Sequence, residues 1–222
     1  MQRTIVITGT DTGVGKTMLT VLLARHLLTH GANVAALKPI CSGGRDDARA
    51  LHQALRGALT LDEINPWHFR TPLAPLLAAR REKQTVTLRD VVAHVRTTAR
   101  RFETVLVEGA GGLLSPLGEG FSTRELIGAL AAETFIVGAN RLGVINHVRL
   151  TLESLPPLIA NHARVVLVEP PRADAASRSN PGLLQEFTAR PITVLPWLRA
   201  ADLRKEPLSP RVSRGLESLL HG

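Results

Sequence analysis

The sequence predicts an α/β protein of three layers, with a mainly parallel central sheet and helices on both faces. Three observations carry this expectation. Short β-branched runs alternate with longer helical stretches along the whole chain, the pattern of strands joined by crossover helices. The strand-like runs are continuously apolar, as strands covered on both faces are. A glycine-rich turn joins the first run to the first helix, at the sheet edge where parallel sheets place their ligands. At 222 residues, with no repeat, linker or low-complexity stretch, residues 1–222 are expected to form a single domain.

The elements follow in order. Arg3 to Thr8 reads as a strand, and Lys16 to His30 as a helix stopped at Gly31, where a left-handed cap fits. Asn33 to Leu37 is a second strand. Helices are expected near Asp46 to Leu55 and over Leu88 to Arg101, the latter with apolar Val91, Val92, Val95 and Ala99 on one face. Thr104 to Val107 is a third strand. Ser122 and Glu125 form the sequence signature of a capping box and open the next helix. Thr134 to Val137 and Arg164 to Val168 are strands flanking a helix near Asn146 to Leu155, which Pro156-Pro157 ends or breaks. Ile192 to Leu195 is the last expected strand. The Arg-rich tail from Arg199 carries no assigned element, and no strongly amphipathic membrane helix is expected there.

Composition narrows the function classes. The apolar share is 44% and the charged share 21%, those of a globular chain. A single cysteine, Cys41, rules out an internal disulfide framework and a thiolate metal cluster. No apolar run approaches the roughly 20 residues that span a bilayer, so a reducing, cytoplasmic setting without membrane contact is expected. Lys and Arg number 27 against 19 Asp and Glu, giving +8. The excess is scattered arginine rather than a dense run, and aromatics are only 3%, too few for nucleic-acid stacking platforms. A solvated basic surface is expected, with no nucleic-acid partner.

The turn after the first strand reads Gly9-Thr10-Asp11-Thr12-Gly13-Val14-Gly15-Lys16-Thr17. It ends in Gly-Lys-Thr and opens a helix, the context of a P-loop. Glycines allow a nest of N–H groups around phosphate oxygens, and the helix N-terminus adds its dipole. Lys16 is suited to the terminal phosphates and the Thr17 hydroxyl to Mg²⁺. The usual first glycine is displaced: Gly9 stands one position early and Thr10 fills its place.

Other strand ends point to the same crevice. Lys38 follows the second strand, before Pro39 and Gly43-Gly44, and supplies a second cation where negative charge develops on a transferring phosphoryl group. Asp46 and Asp47 follow, either as metal-ligand carboxylates or as helix N-terminal charges. Glu108 ends the third strand before Gly109-Ala110-Gly111-Gly112, a pattern suited to a second Mg²⁺ ligand with close ligand approach. After the fourth strand, Gly143 to His147 open a helix whose free N–H groups offer an anion site, with capping by Asn146 as the alternative. Cys41 and His147 read as structural side chains.

Together these residues resemble the dethiobiotin synthetase family. The resemblance rests on Gly9-Thr10-Asp11-Thr12-x-Val14-Gly15-Lys16-Thr17, Lys38-Pro39-x-x-Ser42-Gly43, Asn65-Pro66 with Phe69, and Glu108-Gly109-Ala110-Gly111-Gly112. Leu142-Gly143-x-Ile145-Asn146-His147 and Pro196-Trp197-Leu198 extend it to the last strand. It implies an ATP- and Mg²⁺-dependent ring closure in which 7,8-diaminopelargonate takes up CO₂ as a carbamate, forms a carbamic-phosphoric anhydride and closes. On that resemblance Lys38, Lys16 and Thr12 are catalytic. Gly13, Val14, Gly15, Lys16, Thr17, Met18, Asp47, Glu108, Gly109, Ala110 and Gly111 surround ATP, with Pro196, Trp197 and Leu198 along the adenine. Thr17, Asp47 and Glu108 hold Mg²⁺. Thr12, Lys38 and Ser42 contact substrate, while Gly143, Val144, Ile145 and Asn146 bind its carboxylate from the partner subunit of a homodimer. The chain departs from the family pattern at Gly13, at Leu76 and at Glu169-Pro170-Pro171. The last replaces the usual base-reading pair and leads to an expectation of relaxed nucleotide choice. A different class, a P-loop ATPase switch of the partition or division-site type acting on DNA or membrane, shares the early motifs.

Overall fold

The computed structural model describes residues 2–221 except Arg190, Ala200 and Glu206, and of Arg204 only the backbone. In chain order the first half runs β1 (Arg3–Gly9), α1 (Lys16–Thr29), β2 (Val34–Leu37), β3 (Ile40–Ser42), α2 (Asp46–Ala54), α3 (Leu61–Ile64), β4 (Trp67–Phe69), α4 (Pro75–Arg81), α5 (Leu88–Ala99) and β5 (Thr104–Glu108). The second half runs α6 (Thr123–Leu130), β6 (Glu133–Ala139), α7 (Val144–Glu153), α8 (Pro157–His162), β7 (Arg164–Val168), α9 (Ala175–Gln185), β8 (Thr193–Leu195), a 3₁₀ turn (Asp202–Arg204) and α10 (Pro210–His221).

Six strands form one sheet in the order β2-β5-β1-β6-β7-β8, and every pairing is parallel. Ile5, Val6 and Ile7 of β1, Leu106 and Val107 of β5 and Ile136 and Val137 of β6 are wholly buried, which explains why these strands read as unbroken apolar runs. Parallel strands bring all their carboxyl ends to one edge. The register makes that concrete: Ile7 of β1 pairs with Glu108 of β5, and Gly9 of β1 with Val137 of β6. The P-loop, Lys38, Glu108, the Asn140 turn and Glu169 therefore leave the sheet on the same side.

The expected strands and principal helices are present within a residue or two. Gly31 has φ +78°, the left-handed stop the first helix needs. Ser122 and Glu125 form a reciprocal capping box at the start of α6. The helix expected from Asn146 instead begins at Val144 with Gly143 as its N-cap at φ +92°, so Asn146 lies in the first turn and is not the cap. Pro156-Pro157 does end α7, and Pro157 opens α8, where its missing N–H costs nothing.

The structure adds elements for which no expectation exists. β3 and β4 pair in parallel as a separate two-stranded sheet beside the crevice, Cys41 opposite His68. The tail is corrected too: Pro210–His221 is an amphipathic helix, and its apolar face packs on the protein itself. Val212, Leu216, Leu219 and Leu220 are buried against β8 and α1. No described helix is long and apolar enough to cross a membrane.

Candidate active site

The loop after β1 depends on two glycines. Gly13 and Gly15 have φ +72° and +104°, values a side chain resists. A Cβ on Gly15 would also stand 2.9 Å from Val168 at the tip of β7. The loop thus turns back under its own helix, with Lys16 as the first residue of α1. The Lys16 ammonium donates to the Asp11 carbonyl at 2.9 Å, so the loop's own backbone holds it across the mouth of the nest.

Lys38, from the turn after β2, meets Asp47, Thr17 and Glu108 from three elements. Lys38 Nζ lies 2.6 Å from Glu108 Oε1 and 3.1 Å from Asp47 Oδ2, and donates to the Gly109 carbonyl at 3.1 Å. Thr17 Oγ1 donates to the same Glu108 Oε1 at 2.8 Å. The Lys38 and Glu108 side chains are 4% and 0% exposed, so this is a buried charge pair. Asp46, by contrast, points outward and pairs with Arg49, so Asp47 is the carboxylate that faces the site.

The two ammonium groups differ electrically. Burial, reinforced by Lys38, pushes the Lys16 pKa down to about 8 against the opposing pull of Glu108, Asp47 and Asp11. Burial acts on Lys38 in the same sense, but contact with Glu108 and Asp47 outweighs it and holds the pKa above the ordinary lysine value. Partial burial raises Asp47, and the nearby Lys38 cation reverses this, leaving its carboxyl below the usual range.

These groups line a cavity of about 760 Å³, large enough for a nucleotide and a small substrate. Thr12, Gly13, Gly15, Lys16 and Thr17 form one wall; Lys38, Ser42, Asp47, Glu108, Ala110 and Gly111 form the floor and far side. Pro72 to Pro75 with Ser115 and Pro116 close the remaining side. Leu76 follows that wall at the start of α4.

Not every expected residue reaches the cavity. Val14 is buried beneath the loop, Met18 packs on the core, and Gly109 is pressed against Thr123, whose Oγ1 would stand 2.7 Å from an added Cβ. Pro196, Trp197 and Leu198 lie off the cavity at the end of β8, two strands beyond β6 along the same edge. They sit beside Glu169, whose N–H donates to the Leu195 carbonyl, and the Trp197 ring is half exposed. Glu169 is tied by an ion pair at 2.9 Å to Arg211 of α10. Gly143, Ile145 and Asn146 are outside the cavity, and Val144 is buried with its N–H donated to the Arg141 carbonyl at 3.1 Å. Ser42 lines the cavity, but its hydroxyl donates to the Leu73 carbonyl.

Other contributors escaped sequence reasoning. Asn65, wholly buried, donates to the Lys38 and Pro39 carbonyls at 2.8 and 3.3 Å and so fixes the backbone that aims Lys38. Its Oδ1 also accepts from Cys41 Sγ at 3.0 Å, and burial raises the thiol's pKa, which suits a packed side chain rather than a nucleophile. Asn140 links the turn after β6 to α9 through Ser177 and Asn180. The Asn65-Pro66 pair was visible in the sequence as part of a family motif; its hydrogen bonds were not.

Mg²⁺ fits the oxygen set. Thr17 Oγ1, the Asp47 carboxylate and Glu108 converge, and Glu108 Oε2 is buried without a hydrogen-bond partner among the described residues. An orphaned carboxylate oxygen beside a hydroxyl and a second carboxylate is a hard-donor set.

The fold and this loop define a P-loop nucleotide-binding enzyme, and a family model described as an AAA domain matches residues 3–203. Among curated proteins, the ATP-dependent dethiobiotin synthetase BioD of Anaeromyxobacter sp. (strain Fw109-5) is 38% identical over 217 residues, covering 95% of this chain and 97% of the relative. The protein of the same name from Bacillus licheniformis is 36% identical, covering 88% and 86%. The chain belongs to the ATP-dependent dethiobiotin synthetase family. The MinD cell division protein of Aquifex aeolicus has a similar structure, with a TM-score of 0.62, 16% identity and coverage of 99% and 98%; at that identity the likeness is one of fold alone.

Proposed function

We propose that this chain closes the ureido ring of dethiobiotin from 7,8-diaminopelargonate (7,8-diaminononanoate), CO₂ and ATP, releasing ADP and phosphate. The observation that carries the reading is the gathering of Lys16, Lys38, Thr17, Asp47 and Glu108 in one cavity with the P-loop. Both ammonium groups suit a reaction in which anionic oxygens must approach one another.

One amine of the substrate takes up CO₂ to give a carbamate. A carbamate oxygen attacks the γ-phosphorus, ADP leaves, and the carbamic-phosphoric anhydride forms. The second amine then attacks the anhydride carbonyl and phosphate departs. Such chemistry asks mainly for positioning and charge neutralisation, not a side-chain nucleophile. Lys16 would hold the terminal phosphates in the nest of Gly13 to Met18. Lys38, aimed by Asn65, would hold the carbamate against the phosphoryl group, with Thr12 beside it and Ser42 toward the diamine. Thr17, Asp47 and Glu108 would hold Mg²⁺, which when bound supplies charge neutralisation on the phosphates.

Gly143 to Asn146 lie apart from the cavity of their own chain. We assign them to the carboxylate of a substrate in the neighbouring subunit of a homodimer, through the free N–H groups at the start of α7. The partition-type switch is not favoured, because the C-terminal amphipathic helix commits its apolar face to α1 and β8.

The test is phosphate release from ATP, with and without the diamine and bicarbonate, repeated with CTP and GTP. Turnover is expected only with both co-substrates, and with all three nucleotides, since Glu169 is held by Arg211. Diamine-independent hydrolysis would reject the ligase reading, and a strong preference for ATP would reject relaxed base choice.

A further inference from the structure

The end of α1 carries a second group of polar side chains that the proposed reaction does not use. His26 and His30 stand one turn apart there, and Glu217 and His221 stand one turn apart on α10, which packs across α1. One ligand-capable atom from each of His26, His30 and Glu217 lies within 4.8 Å of the others. His221 lies near enough for its charge, like that of Glu217, to act on His26.

His26 is the informative member. It is 5% exposed as a residue, and its ring nitrogens make no hydrogen bond among the described residues without being shut off from solvent. An imidazole held by packing and still open at nitrogen is within reach of a cation. His30 is already oriented: its Nδ1 faces the His26 carbonyl at 2.8 Å, which fixes the tautomer and leaves Nε2 with its lone pair for a ligand. The two rings lie 4.3 Å apart, centre to centre.

We propose that His26, His30 and Glu217, with His221 completing the set, bind a borderline divalent transition cation, Zn²⁺ foremost, that pins α10 to α1. Imidazole nitrogens with one carboxylate suit Zn²⁺, Co²⁺ or Ni²⁺, whereas Mg²⁺ prefers the all-oxygen set of the cavity. Bonds of about 2.0–2.1 Å in a tetrahedron put ligand atoms roughly 3.3 Å apart. Closure from the present spacing needs only small rotations, and His30, Glu217 and His221 are exposed side chains free to make them. The site is separate from the reaction, so the ligase reading and this one can fail independently.

The experiment uses the full chain without an affinity tag, in excess Mg²⁺ so that the cavity's oxygen donors are occupied. Zn²⁺ is titrated calorimetrically, Co²⁺ by its visible absorption, and melting is followed with each. One equivalent of Zn²⁺ is expected, with nitrogen-ligand bands for Co²⁺ and a melting point raised by about 5–10 °C at saturating metal. His30→Ala and Glu217→Gln, both at exposed positions, should leave the metal-free melting point in place and weaken Zn²⁺ at least tenfold, while Asp47→Asn leaves its affinity unchanged. Wild-type binding weaker than about 100 µM, or affinity unchanged in both variants, overturns the proposal.

Discussion

Lys16 and Lys38 share a cavity in unlike protonation environments, and that difference separates their roles. Lys16 titrates at about 8 before nucleotide arrives, because burial and its neighbour Lys38 disfavour its charge. A bound triphosphate adds negative charge and raises that pKa. ATP binding should therefore take up a proton above pH 8, and affinity should fall as pH rises through about 8 toward the bound-state value. Calorimetry in buffers of different ionisation enthalpy reads the uptake directly, and Lys16→Arg should abolish it. Lys16→Ala should eliminate nucleotide binding. Lys38→Ala should spare it and lower turnover by about 10²–10³, the usual loss for one transition-state donor. Equal loss of ATP affinity in both variants would contradict this division. The residues concerned were legible because each follows a strand end, where chemistry is expected. What holds them was not: the bonds from Asn65 to Lys38 and the packing of Thr123 on Gly109 join residues far apart in sequence.

Among the elements, α6 shows how a short signature becomes local stability. Ser122 accepts from the Arg124 amide, and Glu125 returns bonds to the Ser122 amide and hydroxyl at 2.8 and 2.6 Å. Partial burial pushes Glu125 up, but those bonds and Arg124 outweigh it and hold its pKa at about 2. A folded-state pKa below the unfolded one gives stability that is complete above the ordinary glutamate value of 4.5 and is lost as pH falls toward 2. Denaturant midpoints measured from pH 6 to pH 2 should show that loss, and Glu125→Gln should flatten it. Ser122→Ala should cost about 1 kcal/mol at neutral pH. The elements absent from sequence reasoning have physical reasons for being so. β3 and β4 are three residues each, too short for any period to show, and they pair only with each other. α10 had the signal, with Val212, Leu216, Leu219 and Leu220 at helical spacing, but its charged flanks hid the stripe.

For the whole molecule, the decisive matter is whether one chain is a complete enzyme. Gly143 to Asn146 and the Lys38 cluster occupy separate places in a single chain. If each reaction site draws on both subunits, two inactive variants should repair one another. Co-expressing Lys38→Ala with Asn146→Pro chains, the latter lacking one N–H of the proposed carboxylate site, should restore about a quarter of wild-type turnover, since half of randomly paired dimers then hold one intact site. Activity no greater than the sum of the separate variants would show that the sites do not cross the interface.

The sheet order carries a consequence for how the chain is made. Residues up to 116 already contain the P-loop, both lysines and the carboxylates, and they build the β2-β5-β1 half of the sheet. β8 and α10 close the opposite side and come later, at Thr193–Leu195 and Pro210–His221. While the ribosome is still extending the chain, β7 is a bare, apolar border without its outer neighbour, open to pairing with a stranger. Addition of β8 and α10, with Arg211 reaching Glu169, ends that exposure, so products cut short before β8 should aggregate even though every cavity residue has been synthesised.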